Sequence, residues 1–423
     1  MTQSTREHIF EKVSVIGLGY IGLPTAAFIA SKGIRVTGID VKQSSVDMIN
    51  RGELPFVEPA FDTLLKQVVD DGLLVASTKH VSADAYIVCV PTPFAGDQHE
   101  VDTSYIRAAV DSLSEHLKPG ALVVLESTAP PGTTNAMAEY IVEKCPHLSL
   151  DEDDENAVFV AHCPERVLPG KIMEEMETND RIIGGLTPKA TTMAVELYST
   201  FCTAKLLETD AITAEMAKLT ENAYRDVNIA FANELSIISD KLGIDVWELI
   251  ELANHHPRVN ILQPGPGVGG HCIAVDPWFI VSSTPNEAKL IKQAREVNDS
   301  KPQLVIDKVK GQLSKLETSN PVVAALGIAF KADIDDLRES PSLEIVRQLA
   351  QQHSDADIRV VEPNIDTLPA SLAELDNISL NGTEEAIRDA DLILVLVDHK
   401  EFKEWDLTRL GEKLVVDTKG LWR

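Results

Sequence analysis

The run Val13-Ser14-Val15-Ile16-Gly17-Leu18-Gly19-Tyr20-Ile21-Gly22 decides the fold class. A short apolar strand leads straight into three glycines spaced G-x-G-x-x-G, and a small-residue helix follows through Ala30. In that setting Gly17 permits a tight turn, Gly19 lets the backbone approach a pyrophosphate, and Gly22 brings helix and strand together. The helix N-terminus favours the phosphate charge. The next strand, Ile34 to Ile39, ends on Asp40. A carboxylate there accepts hydrogen bonds from both ribose hydroxyls and repels a 2′-phosphate, so NAD is favoured over NADP.

Working outward, the alternation continues. Ala85 to Val90 is an apolar strand ended by Pro91-Thr92-Pro93, and Ala121 to Leu125 is another, ended by Glu126-Ser127-Thr128. Strands alternating with helical stretches predict a parallel, doubly wound sheet. From about Thr209 the pattern changes: Ala214 to Leu242 has helical apolar spacing without Pro or Gly, and reads as one long helix able to serve as a dimer-forming spine. A second strand-rich block opens near Pro321 with Val322 to Gly327 and continues through Ile358 to Val361, Leu392 to Val397 and Leu414 to Asp417. The expected architecture is α/β, with two Rossmann-like doubly wound parallel-sheet domains, 1–208 and 304–423, joined by a central helical domain, 209–303.

The 423 residues suffice for two or three domains with real cores, and 44% hydrophobic with 25% charged residues is the composition of a folded globular chain. Its charge is unusual, because 66 acidic against 38 basic residues leave −28. Such a surface repels phosphate backbones and anionic lipid, which disfavours nucleic acid and membrane as partners. An anionic ligand then needs a locally basic pocket. The acidic run Asp151 to Glu155 reads as a solvated loop. Five cysteines, Cys89, Cys145, Cys163, Cys202 and Cys272, are odd in number and never in C-x-x-C pairs, which fits neither a disulfide framework nor a metal site. No apolar stretch reaches the ~18 residues of a membrane span, and Met1 to Arg6 has no signal-peptide core. A cytoplasmic location is the expectation.

Three further clusters bear on chemistry. Gly265-Pro266-Gly267-Val268-Gly269-Gly270-His271-Cys272, with Asp276 four residues on, combines a loop that lets a ligand approach its backbone with a thiol. On this segment alone, Cys272 as nucleophile and Cys272 as a small core residue stand level. Cys89 and Cys163, in apolar strand contexts, read as core. Lys218 and Asn222, spaced i, i+4, project from one face of the long helix, beside Ala217, Leu219 and Ala223. A cation held there next to an amide donor could stabilise an oxyanion. Gly327-Ile328-Ala329-Phe330-Lys331 and Asp335-Asp336-Leu337-Arg338 place two cations past a strand end, either to hold an anion or as surface ion pairs.

Taken in order, the glycine turn with Asp40, Pro91-Thr92-Pro93, Glu126-Ser127-Thr128, Cys163-Pro164-Glu165, Lys218 with Asn222, the Gly-Gly-x-Cys-x-x-x-Asp run, and Phe330-Lys331 with Arg338 resemble the UDP-glucose/GDP-mannose dehydrogenase family from about Val13 to Arg423. Arg166 and His271 are similar to the branch acting on N-acetylated UDP-hexosamines. The resemblance implies four-electron oxidation of the C6 hydroxyl of UDP-N-acetyl-D-mannosamine to the carboxylate by two NAD⁺, through a thiohemiacetal and thioester on Cys272, for cell-envelope polysaccharide synthesis. It implies catalytic roles for Lys218, Asn222, Asp276, Thr128 and Glu165, and cofactor contacts from Tyr20, Ile21, Thr92 and Thr128. Substrate contacts are implied for Glu165, Arg166, Lys218, Asn222, Asn260, Gly267, Gly269, His271, Phe330, Lys331 and Arg338. Arg258 is implied to reach a neighbouring site across a homodimer or larger homo-oligomer; a local ion pair is its alternative. Other substrates open to the same motifs are UDP-N-acetylglucosamine and UDP-glucose. A two-electron β-hydroxyacid dehydrogenase shares the Lys/Asn pair but needs neither Cys272 nor a second α/β domain.

Overall fold

A computed structural model describes residues 10–95, 100–168, 170–270 and 272–422. The chain falls into two compact units, Met1–Thr220 and Glu221–Arg423.

The first unit is built on an eight-stranded sheet. Its strands are β1 (Lys12–Ile16), β2 (Arg35–Ile39), β3 (Leu74–Ser77), β4 (Ala85–Val88), β7 (Leu122–Leu125), β8 (Phe159–His162), β9 (Arg181–Gly185) and β10 (Leu206–Asp210), with a small hairpin of β5 (Phe94–Ala95) and β6 (Glu100–Val101) outside it. The spatial order is β10-β9-β8-β7-β4-β1-β2-β3. The sequence favours this because the central strands are apolar on both faces, as a sheet covered by helices on both sides demands. Along β4 and β7, Ala85, Ile87, Leu122 and Val124 enter one core, while Tyr86, Val88, Val123 and Leu125 enter the other. The strand order reverses between β1 and β4, the crevice where doubly wound sheets bind ligands. The parallel expectation fails at one joint: β8 and β9 pair antiparallel, Ala161 opposite Gly185 and His162 opposite Gly184. The two glycines of β9 are held to glycine from its other neighbours, since a Cβ on Gly184 would lie 2.1 Å from the Asp210 carbonyl oxygen of β10 and one on Gly185 2.4 Å from the Thr191 nitrogen.

The second unit holds a five-stranded, all-parallel sheet of β11 (Val322–Leu326), β12 (Asp357–Val361), β13 (Ile378–Leu380), β14 (Leu392–Val395) and β15 (Leu414–Asp417), ordered β13-β12-β11-β14-β15. It repeats the opening of the first. Gly327 follows β11 at φ +88° and donates to the Val361 carbonyl at 2.8 Å, just as Gly17 follows β1 at φ +92° and donates to Ile39 at 2.8 Å.

The long helix runs Ala211–Leu242, one turn earlier than its apolar pattern predicts, and a second long helix spans Lys289–Leu313. The first is amphipathic in an inverted sense. Asp226 and Asn233, seven residues apart and on the face of Asn222, are fully buried. On the opposite face Tyr224 (71% exposed), Phe231 (50%), Ile238 (46%) and Leu242 (66%) form an outward apolar stripe.

Candidate active site

In the first unit the glycine turn has the form that a dinucleotide requires. Gly17 occupies the left-handed region, and a Cβ there would sit 2.3 Å from the Cys89 carbonyl oxygen. A Cβ on Gly22 would meet the Gly17 carbonyl oxygen at 1.9 Å, while the space beside Gly19 is open. A side chain at 17 or 22 would therefore break the turn, and one at 19 would fill the phosphate's approach. Asp40 is half-buried; its Oδ2 accepts from the Leu18 N–H at 3.0 Å and its Oδ1 from the Lys42 N–H at 2.9 Å. Those two bonds fix the carboxylate at the end of β2, where a ribose is read. Tyr20 is exposed and stacks on Phe56 at 4.2 Å; Ile21 precedes the helix Gly22–Ser31. Across the switch point Thr92 Oγ1 donates to the Thr128 carbonyl at 2.7 Å, joining the loops after β4 and β7.

Beneath those loops lies a buried ionic cluster. Arg181 reaches Glu165 at 2.8 Å and Glu126 at 3.8 Å, with all three side chains at most 5% exposed. Glu126 also accepts from Thr25, Cys89 and Tyr198, each at 3.0 Å. Burial, then the neighbouring Glu165, pushes the Glu126 carboxyl up to about 7, against the pull of Arg181. Burial likewise pushes the Cys163 thiol up to about 12. Cys163 is fully buried in the core, as expected, while Cys89 donates to Glu126. Glu165 also accepts from the Arg166 N–H at 2.6 Å and the Val167 N–H at 3.0 Å, so its carboxylate is held from several directions. The Arg166 guanidinium donates to the Asp180 carbonyl.

In the second unit the glycine loop presents Cys272, which is exposed, at the entry to the helix Asp276–Ser283. The Cys272 carbonyl accepts from the Asp276 N–H at 2.8 Å and the Val275 N–H at 3.1 Å, winding the chain into that helix. Asp276 is buried and accepts from Asn222 Nδ2 at 2.5 Å. The side chains of Asn222 and Asp276, which belong to separate clusters in the sequence, are thus hydrogen-bonded to each other, and Cys272 meets the same helix entry through its backbone carbonyl. Lys218, half-buried, lies one helical turn before Asn222. His271 lies outside the described residues. Gly267 and Gly269 are glycine for steric reasons, since Cβ atoms there would lie 2.8 Å from Pro341 Cβ and 2.5 Å from the Glu339 carbonyl oxygen. The loop thus lies against the Phe330 to Pro341 segment. Gly270 packs on the Phe330 ring, 2.9 Å from where its Cβ would stand.

In that segment Lys331 is exposed, and Arg338 forks onto Asp336 at 2.7 to 3.1 Å. Both readings of Arg338 thus share one geometry: it makes a surface ion pair that an anionic ligand can enter or displace. Arg258 and Asn260 are exposed on a loop closed by Asn254, which bonds both the N–H and the carbonyl of Ile261 at 2.7 and 3.0 Å. Arg258 makes no ion pair among the described residues, against its local alternative. Among the described residues no cluster of His, Cys, Asp and Glu could hold a metal ion, and no helix is long and apolar enough to cross a membrane.

Three family models cover the chain in order. The NAD binding domain of the UDP-glucose/GDP-mannose dehydrogenase family matches residues 11–202, its central domain 212–300, and its UDP binding domain 324–423. The chain belongs to the UDP-glucose/GDP-mannose dehydrogenase family. It is thereby an NAD-dependent nucleotide-sugar dehydrogenase, and the cradle at Gly17 to Gly22 with Asp40 suits that cofactor. The UDP-N-acetyl-D-mannosamine dehydrogenase of Campylobacter jejuni is 56% identical over 397 residues, spanning 93% of this chain and 97% of that one. The NDP-N-acetyl-D-galactosaminuronic acid dehydrogenase of Ralstonia nicotianae is 52% identical over 415 residues, 98% and 96% of the two chains. Among solved structures, the UDP-D-ManNAc dehydrogenase of Pyrococcus horikoshii superposes with a TM-score of 0.85 at 36% identity, covering 97% and 96%.

Some of this dehydrogenase's polar groups escape a sequence reading. Arg181 opens an apolar strand, Arg181-Ile182-Ile183-Gly184-Gly185, and a lone cation there is the one signal that a buried acid must face it. Glu362, closing β12, is the second sheet's counterpart of Asp40 and accepts from the Ile328 and Ala329 N–H groups at 2.9 and 3.1 Å. His399 covers its other side at 3.1 Å, so this acid shapes the loop leading to Phe330 and is closed to a ribose.

Proposed function

We propose that this dehydrogenase oxidises the C6 hydroxyl of UDP-N-acetyl-D-mannosamine to the carboxylate, supplying a uronate for cell-envelope polysaccharide in the cytoplasm. The observation that supports the reading is an exposed cysteine, Cys272, at the entry of the helix whose buried Asp276 carboxylate accepts from the Asn222 amide. The Gly17 to Asp40 cradle would hold NAD⁺, which would supply the hydride acceptor for each of the two oxidations at C6, the O6 proton leaving to water each time. The chain does the rest. After the first oxidation Cys272 Sγ adds to the C6 aldehyde, its proton passing to O6, and forms a thiohemiacetal. Loss of the second hydride leaves a thioester; water then adds, the C–S bond breaks, and the thiol and a carboxylate are released. Lys218 and the Asn222 amide stabilise negative charge on O6 at each tetrahedral stage, and Asp276 holds that amide in place. Glu165, with Thr128, positions the attacking water.

The domain partition in this reading is 1–208 for NAD, 209–303 for the helical dimerisation and catalytic loop, and 304–423 for the UDP-sugar. Phe330, Lys331 and Arg338, with the amides of the glycine loop, hold the UDP-sugar against the mean field. Arg166 and His271 read the acetamido group. A second copy of the chain covers the apolar stripe Tyr224, Phe231, Ile238 and Leu242, since such a stripe is costly in water. That dimer brings Arg258 and Asn260 to the neighbour's substrate.

A galactosamine epimer is the second reading, favoured by the comparable identity to the Ralstonia enzyme. The test is NADH formed per sugar with UDP-N-acetylmannosamine, UDP-N-acetylgalactosamine, UDP-N-acetylglucosamine and UDP-glucose offered separately. Two NADH per UDP-N-acetylmannosamine, with the highest kcat/KM, is the expected result. One NADH per sugar would overturn the mechanism, and preference for another sugar the substrate. Cys272→Ala is expected to abolish acid formation; unchanged acid production would remove its nucleophile role.

A further inference from the structure

The glycine loop that ends in Cys272 is anchored by a side chain far from it in sequence. The Gly265 N–H, in a buried stretch of loop, donates to Asn233 Oδ1 at 2.9 Å. Asn233 has no slack, because its Nδ2 donates to Asn298 Oδ1 at 2.8 Å, and Asn298 Nδ2 donates in turn to the Asp226 carboxylate at 2.8 Å and carbonyl at 3.1 Å. Arg295 closes the relay on Asp226 at 2.5 Å. Asp226, Asn233, Arg295 and Asn298 are all at most 1% exposed. Within this chain Asp226 Oδ2 and Arg295 Nε have no hydrogen-bond partner among the described residues, but both side-chain amides, Asn233 and Asn298, use their oxygen and their nitrogen, which leaves the Gly265 end of the relay few geometries. It starts one helical turn beyond Asn222 and terminates on the loop, so the helix carrying the oxyanion-stabilising amide also sets where the nucleophile's loop begins.

We propose that Asn233 is a positioning residue for catalysis. It holds the start of the Gly265–Cys272 loop in register with Asn222 and Asp276, and Asn298 keeps its amide in the one orientation that accepts from Gly265. The inference rests on the proposed role of Cys272, but its structural part is measurable without substrate.

The experiment uses Asn233→Leu, similar in size and unable to accept or donate, in the full-length protein. Hydrogen exchange of a peptide covering residues 262–270 is expected to quicken at least about tenfold, with β11, β12 and β14 unchanged. The kcat for acid formation should fall about 10- to 100-fold, the range that misplacing a reacting group by about 1 Å produces, while KM for the UDP-sugar stays within about threefold. Iodoacetamide labelling of Cys272 should also change in rate. A folded variant with wild-type loop exchange and kcat would overturn the proposal; so would exchange that quickens everywhere alongside a matching rise in KM, which marks a merely structural residue. Should the leucine variant not fold, Asn233→Ser, too short to reach Gly265, is judged by the same readouts. If wild-type protein oxidises no UDP-sugar, the functional reading fails while the loop-exchange result still decides the anchor.

Discussion

Asp40 and Glu362 show how little of a residue's role lies in its identity. Both are acids that end the second strand of a Gly-turn unit, and both accept backbone N–H groups of the loop after the first strand. Asp40 stays half-open, whereas His399 covers Glu362, which is 4% exposed. Asp40→Ser is therefore expected to narrow the NAD over NADP preference at least tenfold in kcat/KM, since an uncharged group no longer repels a 2′-phosphate; an unchanged ratio would rule out the ribose contact. Glu126 is a third acid with a different environment again, facing Arg181, Glu165, Cys89, Thr25 and Tyr198. Its folded pKa of about 7 lies above the ordinary 4.5, so its contribution to stability is complete below pH 4.5 and is lost as pH rises through about 7. Glu126→Gln should accordingly flatten the fall in Tm between pH 5 and 8, monitored by thermal melts; a parallel pH slope in wild type and variant would contradict it. Cys272 reads equally as nucleophile and as core residue on its own segment, and its exposure speaks only against the core alternative.

At the scale of elements, the long helix explains which signals reach the sequence. Its length is legible from apolar spacing without Pro or Gly, and so is the i, i+4 pairing of Lys218 with Asn222. Its inside and outside are not, because the polar stripe Asp226 and Asn233 faces inward and the stripe Tyr224, Phe231, Ile238 and Leu242 faces outward. Periodicity reports that two faces differ and cannot say which is buried when polar partners such as Arg295 and Asn298 satisfy the inner one. A charge on the outward stripe tests the proposed dimer directly. Phe231→Asp is expected to give a monomer by sedimentation with fold intact, and to lose most activity through displacement of Arg258; a variant that sediments like wild type would exclude this face as the contact. The antiparallel joint of β8 and β9 is a similar case, since apolar strands pair in either direction and only the path of the chain decides.

For the whole molecule, the −28 charge sets a long-range field that opposes NAD and a UDP-sugar alike. In the proposed reading their capture rests on helix N-termini, loop amides and placed cations such as Lys331 and Arg338. Moderate salt screens the field within about 10 Å at 0.1 M, so kcat/KM for the UDP-sugar is expected to hold or rise up to that ionic strength; a steep loss would show that local attraction outweighs the field. By itself the sequence determined what short-range pattern encodes: two Gly-turn α/β units, the long helix, the acid closing β2 and the loop bearing Cys272, because periodicity and turn chemistry act over a few residues. Only the tertiary structure decided which polar groups face each other. Arg181 meets Glu165 and Glu126, 16 and 55 positions away, and Asn233 meets Gly265, 32 positions away. Hydrogen bonds and ion pairs are made by position in space, and no local rule records the partner.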